Sequence, residues 1–160
     1  MSENDRRQIV VTRTFPVPRA EVFRAWTVPS ELEWFLNPEQ PRPDQQIEVD
    51  LRVGGAWTLP MVIDAETSYT TGGIYLEIVP DERLVFAWGA EEGWPKLDRS
   101  DLRAGPVATI VFEDVDATSS RATMTLALPD AMPDDEVEQW LAKGIGNGWR
   151  MTVERLTLPA

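Results

Sequence analysis

The stretch that decides the fold of this chain is 133-PDDEVEQWLAKGIGNGWRMTVERLTL-158. Gaps of three and four residues separate its apolar side chains, which places them on one face of a helix. The acids that follow Pro133 suit a helix start, where the backbone dipole favours negative charge. We therefore predict one long helix over residues 133–158, with an apolar face of Val137, Trp140, Leu141, Ile145, Trp149, Val153 and Leu156.

Three glycines interrupt the middle of this predicted helix, at Gly144, Gly146 and Gly148. Each glycine costs about 1 kcal/mol relative to alanine in a helix interior. A helix that carries three of them needs either a bend or unfilled space beside it. The glycines therefore suggest a cavity along the helix, with close helix–sheet packing as the alternative.

Composition limits the remaining possibilities. A chain of 160 residues suits a single domain, and we expect its ordered core to run over residues 8–158. The absence of cysteine excludes disulfides and thiol chemistry and fits a cytoplasmic location. We find no segment of about 20 apolar residues, so we expect neither a signal peptide nor a membrane span.

Charge and residue types exclude several functions. The net charge of −12 argues against nucleic acid and anionic membranes as partners. It is compatible with simple solubility or with a basic protein partner. The absence of histidine removes a histidine general base, a Ser–His pair and an imidazole zinc site. We find no phosphate-binding glycine loop and no calcium-loop spacing, and we predict neither metal nor cofactor.

The segments before the long helix are mainly of strand type. A first strand over residues 8–15 is followed by two short helices, over 19–27 and 31–36. Segments of period two then cover 47–53, 56–64, 70–79, 84–88, 107–113 and 121–128. This order predicts an α+β fold, in which a curved antiparallel sheet of about six to seven strands wraps around the C-terminal helix.

Alternation along the strands predicts which side chains face that helix. It places Trp57, Leu59 and Met61 on the inner face of one strand, and Ile74 and Leu76 on the inner face of the next. Tyr69 and Tyr75 then face outward. Residues 89–106 lack periodicity around Trp94 and suit either a binding lid or a mobile surface loop.

Several motifs resemble one known superfamily. They are RTF at 13–15, VFRAWT at 22–27, DLRVGG at 50–55, GIYLEIVP at 73–80, RLVF at 83–86 and GW at 148–149. In order and spacing they resemble the SRPBCC (START-like, helix-grip) superfamily. The chain looks closest to bacterial stand-alone domains similar to the C-terminal domain of the activator of heat-shock-protein ATPase. The segment after Trp34 departs from the family pattern, because Phe35 and Leu36 stand where relatives often have a second Trp and a Gly-Pro turn.

The resemblance implies a helix-grip fold with a cavity between sheet and helix. Relatives bind lipids, polyketides or other apolar molecules, and the seven tryptophans of this chain suit an aromatic cavity wall. The predicted ligand-binding residues are Trp34, Phe35, Trp57, Leu59, Met61, Ile74, Leu76, Phe86, Trp88, Trp94, Phe112, Met124, Trp140, Leu141, Gly144, Ile145, Gly148 and Trp149.

Three functions fit this sequence. The first is binding of a small hydrophobic or aromatic ligand in the cavity, by a monomer or homodimer. The second is a co-chaperone-like interaction with a heat-shock-protein ATPase. The third is a polyketide cyclase-like enzyme, which would depend on Asp, Glu, Tyr or Arg because His and Cys are absent. We find no convincing catalytic set, and a pair such as Asp50 and Arg52 is typical of a surface ion pair.

Overall fold

Seven strands form a single antiparallel sheet in the computed structural model, which describes residues 7–36, 46–62, 64–90, 93 and 96–158. The strands lie side by side in the order β1-β7-β6-β5-β4-β3-β2, confirming the predicted α+β fold. In chain order the elements are β1 (Gln8–Phe15), α1 (Arg19–Thr27), two short 3-10 helices (Pro29–Glu31 and Glu33–Phe35), β2 (Glu48–Val49), β3 (Ala56–Val62), β4 (Ser68–Val79), β5 (Arg83–Trp88), β6 (Val107–Asp116), β7 (Ser119–Ala127), α2 (Asp134–Ala142) and α3 (Ile145–Val153).

Two predicted elements are shorter or tighter than expected. The helix predicted over residues 31–36 is instead part of the pair of 3-10 helices. The 3-10 geometry puts residues three apart on the same side, and here it buries Leu32 and Phe35 together. The strand predicted over 47–53 is limited to β2 because Arg52 and Gly55 close a turn, with Gly55 N–H donating to the Arg52 carbonyl at 2.8 Å.

A β-bulge changes which face of β4 is buried. Tyr75 pairs with Phe86 and Glu77 pairs with Val85, so Leu76 is an extra residue without a partner on β5. The bulge moves every later side chain of β4 to the opposite face. Before the bulge Tyr75 belongs to the main core, whereas after it the inward residue is Ile78.

The bulge makes two sequence-based assignments wrong. Ile74 and Leu76 were predicted to face the helix, but they pack with Ala87 and Leu97 in a second cluster on the outer face. Tyr69 and Tyr75 are predicted to face outward, but Tyr75 is fully buried in the main core and Tyr69 packs against that core. A single period-two pattern cannot show a bulge, because the alternation of side-chain types in the sequence continues through it.

The long C-terminal helix is broken in two. Gly144 has φ +84°, which ends α2 in the left-handed conformation before α3 begins at Ile145. A Cβ on Gly146 would lie 3.1 Å from Ile9 Cγ1 on β1, so this glycine permits close packing. A Cβ on Gly148 would meet no described heavy atom within 4 Å. Gly144 therefore marks the bend, Gly146 permits close packing on β1, and Gly148 borders open space.

α3 is the C-terminal helix that packs on the inner face of the sheet. Its buried residues Ile145, Trp149 and Val153 form one face toward the main core. Arg13 of β1 donates hydrogen bonds to the carbonyl oxygens of Val153 (2.9 Å) and Leu156 (2.5 Å). A guanidinium at this position satisfies carbonyls that a helix C-terminus leaves unpaired and stabilises the negative end of the dipole.

The two glycines without close neighbours should respond oppositely to alanine. Gly148→Ala should raise the free energy of unfolding by about 0.5–1 kcal/mol, because α3 gains helix propensity and the methyl meets no described neighbour. Gly144→Ala should lower it by about 1 kcal/mol, because a side chain is strained at this φ. Urea unfolding of both variants tests the pair, and equal effects would contradict the separate roles.

Candidate functional site

Four aromatic rings form a closed cycle on the inner face of the sheet. Trp26 of α1 lies 6.5 Å from Phe35 and 6.1 Å from Phe86, measured between ring centroids. Trp57 of β3 completes the cycle, at 5.4 Å from Phe35 and 5.3 Å from Phe86. Most of these contacts are edge-to-face, the geometry that aromatic pairs prefer. The cycle connects α1, the second 3-10 helix, β3 and β5.

Trp149 joins α3 to this cycle. Its ring lies 6.1 Å from Trp26 and 5.7 Å from Trp88, and the residue is completely buried. Its indole N–H donates to the Met124 carbonyl of β7 at 3.4 Å. Trp34 extends the aromatic group on the other side, since its indole N–H donates to the Ala25 carbonyl at 2.8 Å. The result is a continuous aromatic wall between sheet and helices.

Two rings of the aromatic wall, those of Trp57 and Phe86, lie directly against Gly73 of β4. A Cβ on Gly73 would lie 2.5 Å from Phe86 Cδ2 and 2.6 Å from Trp57 Nε1. Only glycine therefore lets the Trp57 and Phe86 rings approach the strand this closely. Gly73 pairs with Trp57 on β3 and with Trp88 on β5, so it is the point on which three aromatic side chains converge.

Three polar atoms of the inner face are buried without a partner among the described residues. They are Thr71 Oγ1, Tyr75 Oη and Trp26 Nε1. The three residues are 3%, 0% and 2% exposed. A buried polar atom without a partner costs about 1–3 kcal/mol. Burial, with a smaller contribution from the charge of Asp50, raises the pKa of Tyr75, so its hydroxyl stays neutral and can donate a hydrogen bond.

One flank of α3 contains Gly148, where a Cβ would meet no described heavy atom within 4 Å. Gly148, Thr152 and Arg155 follow at gaps of four and three, which puts them on the same side. Arg155 donates to the carbonyl of Phe35 at 3.1 Å, so this flank faces the second 3-10 helix. We call the flank formed by Gly148, Thr152 and Arg155, with the open space at Gly148, the α3 slot.

The structure brings most of the predicted site residues together. The main core contains Phe35, Trp57, Leu59, Met61, Phe86, Trp88, Phe112, Met124, Ile145 and Trp149, with Trp34, Trp140 and Leu141 packed at its margin. Ile74 and Leu76 lie on the outer face instead. Gly144 is exposed at the break between the helices, and Gly148 borders the α3 slot. Trp94 lies outside the described residues.

Sequence reasoning missed four polar residues of this region: Thr71, Tyr75, Arg13 and Arg155. Tyr75 was assigned to the wrong face because of the bulge. Thr71 belongs to a β-branched strand pattern, and nothing in that pattern shows that its hydroxyl is buried without a partner. The signal available for Arg155 was its place about one turn beyond Met151, where a cation near the end of the predicted helix suggests only a dipole interaction.

Three cavities are lined by described residues. One of about 300 Å³ spans β3 and β4 at the start of the 89–106 loop, beside Trp57, Thr70 and Ile74. A second of about 530 Å³ is lined by residues that include Thr58 and Pro60. The third, of about 460 Å³, lies by Arg7, Arg103 and their neighbours. Leu97 and Leu102 of the loop pack on the outer-face cluster, so this part of the loop covers the back of the sheet.

The described part of the chain offers little for a metal or a bilayer. Its Asp and Glu residues form no group of three that could hold an ion. No described helix is both long and apolar enough to cross a membrane. The pairs Asp50–Arg52 and Glu77–Arg83 are surface ion pairs, each with a 2.8 Å contact. Exposed pairs of this kind contribute about 0–1 kcal/mol.

An antiparallel sheet that holds a C-terminal helix over an aromatic inner face defines a helix-grip protein of the SRPBCC class. Residues 16–158 match the sequence profile of the family described as "Activator of Hsp90 ATPase homolog 1-like protein". The chain belongs to this family. No protein with a curated description matches it.

Solved structures share the fold at low sequence identity. Protein Ms6760 from Mycobacterium smegmatis is 18% identical, with a TM-score of 0.69 over 97% of this chain and 91% of its own. A protein from Arthrobacter aurescens is 19% identical, with a TM-score of 0.72 over 96% and 86%. PFC0360w, an HSP90 activator from Plasmodium falciparum, is 18% identical, with a TM-score of 0.56 over 92% and 94%. At these identities the likeness concerns the fold alone.

Filling the gap at Gly73 should disturb the aromatic wall. Gly73→Ala should lower the free energy of unfolding by about 1–3 kcal/mol, because its methyl would overlap the Trp57 and Phe86 rings. Gly105→Ala is the matched control, since a Cβ there meets no described heavy atom within 4 Å. Urea unfolding followed by tryptophan fluorescence measures both, and equal stability of the two variants would contradict the close approach at Gly73.

Proposed function

We propose that the protein binds a small hydrophobic or aromatic ligand between the inner face of the sheet and α3. The aromatic wall supplies apolar surface, and the α3 slot supplies space beside it. The observation that carries the proposal is the Thr71 hydroxyl, which is buried without a partner among the described residues. It lies on the inner face of β4 between Tyr69 and Gly73.

A ligand oxygen would complete the hydrogen bonding of Thr71. In the free protein this unpaired hydroxyl lowers the free energy of unfolding by about 1–3 kcal/mol. An apolar side chain at the same position would not carry this penalty. Residues that weaken the free protein in this way are typical of sites that bind another molecule. The ligand that this arrangement favours is apolar over most of its surface and carries one oxygen.

The same hydroxyl gives a test in which stability and binding change in opposite directions. Thr71→Val should raise the free energy of unfolding of the free protein by about 1–2 kcal/mol, because the unpaired hydroxyl is removed. It should weaken binding of 2-naphthol about tenfold, since the ligand loses its hydrogen-bond partner. Urea unfolding and isothermal titration calorimetry measure the two effects.

Thr27→Val is the matched control for this test. It makes the same substitution at a buried threonine of α1, whose hydroxyl already donates to the Phe23 carbonyl at 2.9 Å. This variant should be destabilised by about 1 kcal/mol, because a hydrogen bond is lost, and should bind 2-naphthol as the unmodified protein does. A Thr71→Val protein with unchanged affinity, or an unmodified protein that binds no member of a lipid and polyketide panel in native mass spectrometry, would contradict the proposal.

A second proposed function is a co-chaperone-like interaction with an Hsp90-type ATPase. The family description and the fold shared with the Plasmodium falciparum activator support it. The net charge of −12 favours a basic surface on the partner.

Electrostatics makes this second proposal testable. We expect the protein to co-purify with the ATPase of its own cell and to raise its turnover several-fold at low ionic strength, with a smaller effect at 0.5 M salt because the charges are screened. A pull-down and a coupled ATPase assay measure both. Bovine serum albumin at the same concentration controls for general effects of an acidic protein, and unchanged turnover at all salt concentrations would exclude this function.

A further inference from the structure

Arg155 differs from the other partly buried arginines. Arg7 lies 2.8 Å from Asp134, and Arg19 lies 3.4 Å from Asp114. Arg13 donates to two carbonyls at the negative end of α3. Arg155 donates only to the Phe35 carbonyl, and among the described residues no carboxylate lies within ion-pair distance of it. It is a partly buried charge with a single neutral partner.

Such a charge is unexpected in so acidic a chain. The protein has 27 acidic residues against 15 basic ones, so carboxylates are abundant over the sequence as a whole. Removing a guanidinium from water without a counter-charge is unfavourable. A guanidinium also offers five N–H donors in a planar fork that matches a carboxylate. The remaining donors of Arg155 are therefore suited to an anion supplied from outside the described chain.

Tyr69 provides a second donor, and it is near enough to Arg155 for that charge to act on the pKa of its phenol. It pairs with Met61 of β3 and packs at the margin of the main core, one inward position from Thr71. Burial raises the pKa of Tyr69, and the positive charge of Arg155 acts on it in the opposite direction. The phenol therefore stays neutral near pH 7 and keeps its proton for a hydrogen bond.

The α3 slot gives the apolar part of such a ligand a place. Gly148 and Thr152 continue the line of Arg155 along the helix toward the aromatic wall. The missing side chain at Gly148 leaves a space of at least a methyl group beside the backbone. One end of the slot is thus cationic at Arg155, while Gly148 contributes no polar side chain.

We propose that the α3 slot binds an apolar carboxylic acid, with the carboxylate held by Arg155 and Tyr69 and the hydrocarbon lying along Gly148. This inference rests on the proposed ligand-binding function and adds the chemical class of the ligand. Charge-assisted hydrogen bonds are about twice as strong as neutral ones, so the carboxylate provides selectivity as well as affinity.

Decanoate and 1-decanol test this inference because they share a hydrocarbon chain and differ in charge. By isothermal titration calorimetry at pH 7.5, the unmodified protein should bind decanoate about tenfold or more tightly than decanol. Arg155→Gln should abolish the preference by weakening decanoate alone. Arg155→Lys keeps the charge and should retain part of the preference. Arg150→Gln removes an exposed charge from the same helix and should leave the preference unchanged.

One further variant separates the effect of the space at Gly148 from the effect of the charge on Arg155. Gly148→Leu should weaken both compounds equally, because it fills the slot without altering the charge. A thermal melt of each variant confirms folding. Equal affinity of the unmodified protein for decanoate and decanol would overturn the carboxylate inference and leave ligand binding in place. Absence of binding by both compounds and by 2-naphthol would overturn both proposals.

Discussion

The packing of Trp149 holds the molecule together. This side chain touches Trp26 of α1 and Trp88 of β5, and it bonds to the backbone of β7. One residue thereby connects three parts of the chain that are distant in sequence. Truncating such a buried aromatic side chain typically costs about 3–5 kcal/mol, a large fraction of the stability of a domain this size. Because Trp149 fills the interior between these elements, the space proposed for a ligand lies beside it, at Gly148.

Sequence reasoning recovered the architecture because the architecture depends on periodicity. The alternation in β3, β5 and β7 predicted correctly that Trp57, Phe86 and Met124 face the core. It failed in β4, where the bulge at Leu76 adds a residue without disturbing the pattern of side-chain types. It also treated residues 133–158 as one helix, because the apolar spacing continues across the break at Gly144. Local irregularities that preserve the pattern are invisible to a method based on the pattern.

The candidate site was less predictable than the fold for a different physical reason. Its aromatic members could be predicted because large apolar side chains are buried in any core. Its polar members could not, because Thr71 is distinguished by a hydroxyl without a described partner and Arg155 by having only a neutral one. That property depends on every neighbouring atom and has no counterpart in composition or spacing. The four polar residues were therefore found only from the contacts in the structure.

The break at Gly144 makes α2 and α3 separate units of very different stability. α3 buries Ile145, Trp149 and Val153, whereas Val137 is the buried residue of α2. A helix of nine residues is too short to persist in water without tertiary contacts. α2 can therefore unfold locally while α3 stays docked, and the free energy of that opening is well below that of global unfolding. The C-terminal region thus joins one firmly packed helix, α3, to a second helix that contributes a single buried side chain.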